Sequence, residues 1–449
     1  MVKRLLKFNF YKFISFGYFS DVPQRQLLFG YLTYIISGTI LLCLPFSQKQ
    51  CVSIIDNIFI ATSAISTTGL STISVSDNYT FFGQIIILIL IQLGGIGFMT
   101  LSSFLILRVV HYIPKHTNNV LVNEFTMPSG FEVNNLIRGI IYFTFGFELF
   151  GAICLFFIFN SLGVQQPIWT AIFHSISSFC TAGFGLYNDS FEQFKFHIGI
   201  NSVIAVLSYA GGIGFIVLID LWKKISIKSY NLTFTSRIII LITSILTIFG
   251  TLQLFFFEPT IQSFSYGNRV IAAFFQTMTA MTTVGFNTIS ISNLHLSSLM
   301  LLVVLMFFGA SPSGTGGGVK STTVSAVWAY VRCRLKGQKD IILFGNKIPE
   351  YRWQPAVSTF ILYITILIFG TFLLTFTEKT DLMKILFECT SAIGTVGLSC
   401  GITGSLTVFG KIIITLLMYI GRVGVLTFGT ALLYKHHQNE YNKSNDLAT

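Results

Sequence analysis

Charge is what this sequence has least of. Only 10% of its residues are Asp, Glu, Lys or Arg, against 53% hydrophobic and 15% aromatic, and the mean hydropathy is +0.73. A soluble globular domain has no place for so much apolar surface, so the composition implies a polytopic membrane protein. Proline is sparse, at nine residues, and no Pro-rich or low-complexity segment occurs. The longest hydrophilic stretch runs from Arg332 to Arg352. That leaves no soluble domain, and an energy source or cytosolic sensor is expected from another chain. The seven cysteines form no Cys-x-x-Cys pair and have no histidine at metal spacing. They read as buried thiols, not as a disulfide or zinc framework. No metal-ligand cluster or nucleophile-base pair is apparent, and an enzyme is not expected.

Long apolar runs are abundant instead. They fall at roughly 25–46, 81–110, 136–160, 197–221, 236–257, 296–330, 354–377 and 407–434, which makes eight candidate spans. Roughly twenty of the 28 Lys and Arg lie in the two tails and in the segments that join successive pairs of spans. The positive-inside rule then puts both termini in the cytoplasm of a cell-membrane protein, and the net charge of +11 reflects topology and not a nucleic-acid partner. Lys3, Arg4, Lys7 and Lys12 alternate with Phe8, Phe10, Tyr11 and Phe13, as either an interfacial amphipathic helix or an unstructured tail would. The apolar region from Leu27 is long enough to span and reads as the first span, not as a cleaved signal peptide.

Between the members of each pair lies a shorter apolar run, too short to cross as a helix, that ends at a glycine among small residues. The four endings are Ser66-Thr67-Thr68-Gly69-Leu70, Cys180-Thr181-Ala182-Gly183-Phe184, Thr282-Thr283-Val284-Gly285-Phe286 and Gly394-Thr395-Val396-Gly397-Leu398. A second small-residue motif follows each filter glycine by roughly 25 to 30 residues: Gly94-Gly95-Ile96-Gly97-Phe98, Gly211-Gly212-Ile213-Gly214-Phe215, Gly309-Ala310-Ser311 and Gly421-Arg422-Val423-Gly424. One Thr-x-Gly is an ordinary turn or helix cap. Two elements repeating in phase four times are not chance matches. The expected architecture is all-α, with four units of span, re-entrant segment and span around a pseudo-fourfold pore. The units are set at 25–112, 133–225, 236–335 and 354–435, with tails at 1–24 and 436–449.

Carbonyls freed by the glycines, with threonine hydroxyls beside them, are the ligands a potassium ion needs once it sheds its water. The candidate filter is Thr67, Thr68 and Gly69; Thr181, Ala182 and Gly183; Thr283, Val284 and Gly285; and Thr395, Val396 and Gly397. The helices before them, such as Asp56 to Ile65 and Asn268 to Met281, would aim partly negative C-terminal ends at a cation. Within the 296–330 span, the run Gly309-Ala310-Ser311-Pro312-Ser313-Gly314-Thr315-Gly316-Gly317-Gly318-Val319-Lys320 must break the helix. It is not a phosphate loop, because Val319 separates Gly318 from Lys320. Arg422, Glu148 and Glu388 are intramembrane ionisable groups. Arg422 reads as an electrostatic barrier, a hold on the glycine-rich loop or a structural salt bridge. Glu388 is expected to brace the filter, Glu148 has no evident partner, and His174 reads as hydrogen-bonded packing.

These motifs closely resemble the Trk/Ktr/HKT superfamily of potassium transporters, and within it the KtrB-type membrane subunits. The resemblance rests on Gln92-Leu93-Gly94-Gly95-Ile96-Gly97-Phe98-Met99-Thr100, Phe173-His174-Ser175-Ile176-Ser177, Gly394-Thr395-Val396-Gly397-Leu398 and Gly421-Arg422-Val423-Gly424-Val425-Leu426-Thr427-Phe428. It implies a homodimer in the bilayer, seated on a cytosolic ring of KtrA-like RCK nucleotide-binding subunits. It also implies that the run from Gly309 to Lys320, through Ser311, Ser313, Gly314, Thr315, Gly316, Gly317 and Gly318, is an intramembrane gate. No cofactor is expected beyond transported potassium, with sodium as a candidate co-ion. A secondary transporter of another solute and an accessory subunit of a membrane ATPase stay open as alternatives.

Overall fold

The computed structural model describes residues 23–97, 100, 133–227 and 229–433. The basic aromatic tail, the second half of the 81–110 span with Phe98 and Met99, and the C-terminal tail fall outside the described residues. Regular structure is almost wholly helical. The exception is a hairpin of Ile342–Leu343 (β1) and Asn346–Lys347 (β2) in the last joining segment.

Each unit contributes a long helix, a short one and a third. They are α1 (Pro23–Leu42), α2 (Ile54–Ile65) and α3 (Phe81–Ile96); then α4 (Val133–Ser161), α5 (Pro167–Phe179) and α6 (Ile198–Gly212), continued by α7 (Phe215–Ser226). The third unit has α8 (Phe234–Phe257), α9 (Tyr266–Thr282) and α10 (Leu296–Phe307), continued by α11 (Ser321–Leu335). The fourth has α12 (Glu350–Thr375), α13 (Leu382–Ile393) and α14 (Val408–Val423), continued by α15 (Val425–Leu433). Side-chain caps fix where the third helices begin: Thr80, His197, His295 and Thr407 each accept a hydrogen bond from a backbone N–H in the first turn.

The long helices α1, α4, α8 and α12 are long and apolar enough to cross a membrane, yet only 39%, 33%, 22% and 28% of their apolar windows are buried. Phe157, Phe249 and Phe369 are among the rings they leave exposed, a surface that lipid satisfies and water does not. The short helices are the reverse. Phe59, Phe173, Phe275 and Phe387, each eight residues before its filter threonine, have no exposed surface. The centre is therefore built of short helices and the periphery of long ones.

The units close into a ring. The third helix of each packs on the short helix of the next: α3 on α5, α6 on α9, α10 on α13, and α14 back on α2. Within a unit the third helix also crosses the end of its own short helix at glycine, since a Cβ at Gly94, Gly211 or Gly421 would stand 2.2, 1.9 or 2.2 Å from the carbonyl oxygens of Ile65, Phe179 and Ile393.

Two expected spans are not continuous. The 197–221 run bends by 102° between α6 and α7, and the 407–434 run by 94° between α14 and α15. Hydropathy does not register these breaks. They arise at Gly214 (φ 88°) and Gly424 (φ 91°), in a conformation open to glycine, and Gly97 (φ 94°) takes it at the end of α3. In the third unit the break is the whole glycine-rich run, which is non-helical from Phe308 to Lys320.

Candidate ion pathway

The four Thr-x-Gly segments meet at the centre of the ring. A Cβ built on Gly69 would lie 2.4 Å from the carbonyl oxygen of Ala182, one on Gly183 2.3 Å from that of Val284, one on Gly285 2.0 Å from that of Val396, and one on Gly397 2.2 Å from that of Thr68. The contact passes from each unit to the next and returns to the first. A real Cβ has no room at any of the four.

Backbone geometry is also common to all four. Thr67, Thr181, Thr283 and Thr395 have φ of 52°, 51°, 60° and 48°, and the glycines two residues on have φ of 92°, 66°, 83° and 94°. A β-branched residue in the left-handed region costs of order 1–3 kcal/mol, so the fold must hold each one there. It does so through backbone hydrogen bonds. The N–H groups of Thr68, Ala182, Val284 and Val396 donate to the carbonyls of Ser63, Ser177, Thr279 and Ser391 at 2.9, 2.8, 3.1 and 2.8 Å. These bonds engage the N–H groups and leave the carbonyls. From Thr67 to Gly69 and in the three equivalent segments, no carbonyl accepts a hydrogen bond among the described residues. Buried carbonyls without a partner are rare, and a ring of them offers oxygen ligands to a dehydrated cation.

Directly beneath lies the glycine-rich run, in contact with the threonine of every unit. The Thr315 hydroxyl pairs with that of Thr181 at 2.9 Å, and the Thr315 carbonyl accepts from the Thr67 hydroxyl at 3.2 Å. A Cβ on Gly316 would stand 2.0 Å from the Thr283 hydroxyl, and one on Gly317 2.4 Å from that of Thr395. The run is docked on the second unit, where Ser311 and Thr315 donate backbone N–H groups to Gly212 and Gly211 at 3.0 and 3.1 Å. Ser313 completes the docking at the start of α7, its carbonyl accepting from Phe215 N–H and its hydroxyl from Ile216 N–H. Gly309 and Gly318 pack backbone to backbone at the base, while Gly314 sits over the Gly211 and Gly212 carbonyls.

Two cations hold this layer. Arg422, at the end of α14, donates Nη1 to the Thr315 carbonyl and to the Thr67 hydroxyl, the latter at 3.0 Å, and Nη2 to the Gly94 carbonyl. Lys320 donates Nζ to the Gly316 carbonyl at 2.6 Å. Neither has a carboxylate within ion-pair distance among the described residues, so the salt-bridge alternative for Arg422 finds no partner there. Glu148 does have neighbours: Gln92 donates to it at 3.2 Å and the Cys180 thiol at 3.6 Å. Sequence reasoning missed both because Gln92 comes from the first unit and Cys180 from the end of the second unit's short helix, and no local spacing marks either. Glu388 accepts from the Ser399 hydroxyl, the Cys400 N–H and the Thr403 hydroxyl. His174 is hydrogen-bonded as expected, with Nδ1 on the Thr170 carbonyl at 2.8 Å.

Beyond the ring, on the side away from the run, the loops carry acid groups. Asp77 accepts from Asn188 at 2.9 Å, which holds its carboxyl below the usual range. Glu192 accepts from Asn287 at 2.8 Å, but burial outweighs this bond and keeps its carboxyl above the usual range. Each pair joins the loops of two neighbouring units. Negative charge at this mouth favours cations.

The same arrangement of sequence is found in known proteins. The TrkH family, described as cation transport protein, matches residues 19–444. The chain belongs to the TrkH family. It is 33% identical over 411 residues to the Ktr system potassium uptake protein B of Bacillus subtilis, covering 90% of this chain and 92% of that one. To the potassium/sodium uptake protein NtpJ of Enterococcus hirae it is 32% identical over 430 residues, covering 94% and 95%. Among solved structures, the potassium transporter TrkH of Vibrio parahaemolyticus superposes with a TM-score of 0.73 at 20% identity, over 92% of this chain and 85% of that one. This TrkH family member is thus a membrane-embedded cation transport protein and not an enzyme, and its fold is that of the Vibrio transporter.

Proposed function

We propose that the chain is the potassium-translocating subunit of a Ktr/Trk-type uptake system in the cell membrane, with both termini cytoplasmic. Potassium passes the ring of carbonyls at Thr67–Gly69, Thr181–Gly183, Thr283–Gly285 and Thr395–Gly397. The run from Gly309 to Lys320, latched by Arg422, is the gate beneath it. A cytosolic nucleotide-binding partner resembling KtrA moves that gate, the membrane subunit works as a homodimer, and sodium is a candidate co-ion. Support for the substrate comes from relatives whose names specify potassium uptake. The observation that carries the reading is the closed ring of buried, unpaired carbonyls contributed equally by four units. A single glycine per unit, in place of a longer filter, provides few ion sites and modest selectivity.

The test is rubidium tracer uptake into liposomes that contain the purified chain, competed by potassium or sodium. Wild-type uptake should yield to potassium well before sodium. Gly285→Ser should lose about tenfold of that preference, equivalent to about 1.4 kcal/mol, because its Cβ collides with the Val396 carbonyl. Unchanged preference in serine variants of all four glycines would sink the filter assignment.

A further inference from the structure

Seven residues before each filter threonine the four units differ: the residues are Ile60, His174, Gln276 and Glu388, all with no exposed surface. Two of them reach the same place. His174 gives its Nδ1–H to the Thr170 carbonyl, which can only accept, so Nε2 is free to accept the N–H of Leu186 at 3.3 Å. Glu388 accepts the N–H of Cys400 at 3.1 Å. Leu186 and Cys400 both stand five residues after their filter threonine. In each case a side chain of the short helix ties down the backbone just past the ring. Ile60 has no polar atom for this. Gln276 has two, yet among the described residues neither its Oε1 nor its Nε2 has a partner, nor does the hydroxyl of Thr288, the residue at the Leu186 and Cys400 position.

A second tether shows a different distribution. The Ser63 hydroxyl accepts the N–H of Gly69 at 3.1 Å, and the Ser391 hydroxyl that of Gly397 at 3.0 Å. The equivalent hydroxyls of Ser177 and Thr279 have no partner among the described residues. Of these two kinds of tether from its own short helix, the first unit has one, the second one, the fourth both and the third none; the third segment is joined instead to the loop of the second unit, Asn287 N–H donating to the Ser190 hydroxyl at 3.1 Å. The untethered segment is also the one whose threonine, Thr283, lies against Gly316 of the glycine-rich run.

We propose that His174, Glu388, Ser63 and Ser391 are positioning residues that fix the radius of the ion ring and thereby its discrimination between potassium and sodium. The third segment, untethered at Gln276, is the one that yields when the run beneath it moves. A ring held at three points and loose at one keeps its size without locking the gate. This inference rests on the filter reading above.

The experiment measures the potassium-over-sodium preference of rubidium uptake for Glu388→Leu, Glu388→Gln, Gln276→Leu and Ser391→Ala, all in the full chain in liposomes. Glu388→Leu should lose about tenfold of the preference, since several hydrogen bonds to a carboxylate go at once. Glu388→Gln keeps an acceptor for Cys400 and should restore most of it. Gln276→Leu, equally buried, should leave it unchanged, a contrast that loss of packing alone would not give. Where Glu388→Leu fails to fold, Ser391→Ala removes a tether with little change of volume and should lower the preference. Equal losses in Glu388→Leu and Gln276→Leu, or wild-type preference in both Glu388→Leu and Ser391→Ala, would overturn the inference. The filter reading is judged separately: an altered preference in Gly285→Ser with neutral tether variants defeats only the tethers, and an unaltered one in all four glycine variants defeats the ring.

Discussion

The ring of carbonyls and the layer just beneath it are neighbours built on opposite rules. In the ring every unit supplies the same backbone: a left-handed threonine, a positive-φ glycine and an N–H tied back to its own short helix. In the layer beneath, the second and fourth units supply sharp glycine bends and the third an irregular run that crosses under all four threonines. An ion on an axis needs equivalent ligands from all sides, which demands repetition. A barrier across that axis needs one segment that moves and three surfaces that receive it, which demands difference. The two layers meet at the threonine hydroxyls.

A side chain added at a glycine should therefore change preference in the ring and flux in the layer beneath. Gly316 has ordinary φ, so alanine is tolerated by the backbone, but its Cβ would lie 2.0 Å from the Thr283 hydroxyl. The run cannot seat, and ion flux of Gly316→Ala in liposomes should rise about tenfold, as expected for roughly 1.4 kcal/mol of lost closure. Potassium preference should persist. A fall in flux with loss of preference would mean that the run is part of the ring and not a barrier below it.

A smaller effect is expected at Arg422, where the carbonyls of Thr315 and Gly94 remain after the side chain is gone. Arg422→Ala should raise flux by about three- to tenfold, less than the roughly 1.5–3 kcal/mol that hydrogen bonds to charged groups contribute, because other contacts still dock the run. Arg422→Lys separates two mechanisms. The planar fork joins two carbonyls and a hydroxyl at once, which an ammonium does not match, so lysine should behave like alanine. A lysine variant with wild-type flux would point to charge alone.

Much of the ring was legible in the sequence, and for the reason just given. Four units that must present one geometry repeat Thr-x-Gly in phase, and the buried Phe59, Phe173, Phe275 and Phe387 keep the same phase. The break at Gly309 to Lys320 was legible too, since five glycines and a proline cannot continue a helix. The bends at Gly214 and Gly424 were not, because hydropathy runs through them and only their φ values differ from those of helical glycines. The partners of Glu148 and Arg422 were hidden for another reason. Gln92, Cys180, Thr315 and Gly94 belong to other helices or to the run, and no local spacing marks them. The tethers lay between these cases. Glu388 was expected to brace the filter, whereas the matching reach of His174 appears only once Leu186 and Cys400 are seen at equivalent places.

The proposed filter requires that the four unpaired carbonyl sets bind a potassium-like ion on the axis. The direct measurement is anomalous diffraction from crystals grown with thallium or rubidium in place of potassium. A peak is expected on the axis within coordinating distance of the Thr68, Ala182, Val284 and Val396 carbonyls, lost in Gly285→Ser. A protein crystallised with either ion that shows no peak there, or a peak only among the outer acid groups, would contradict it.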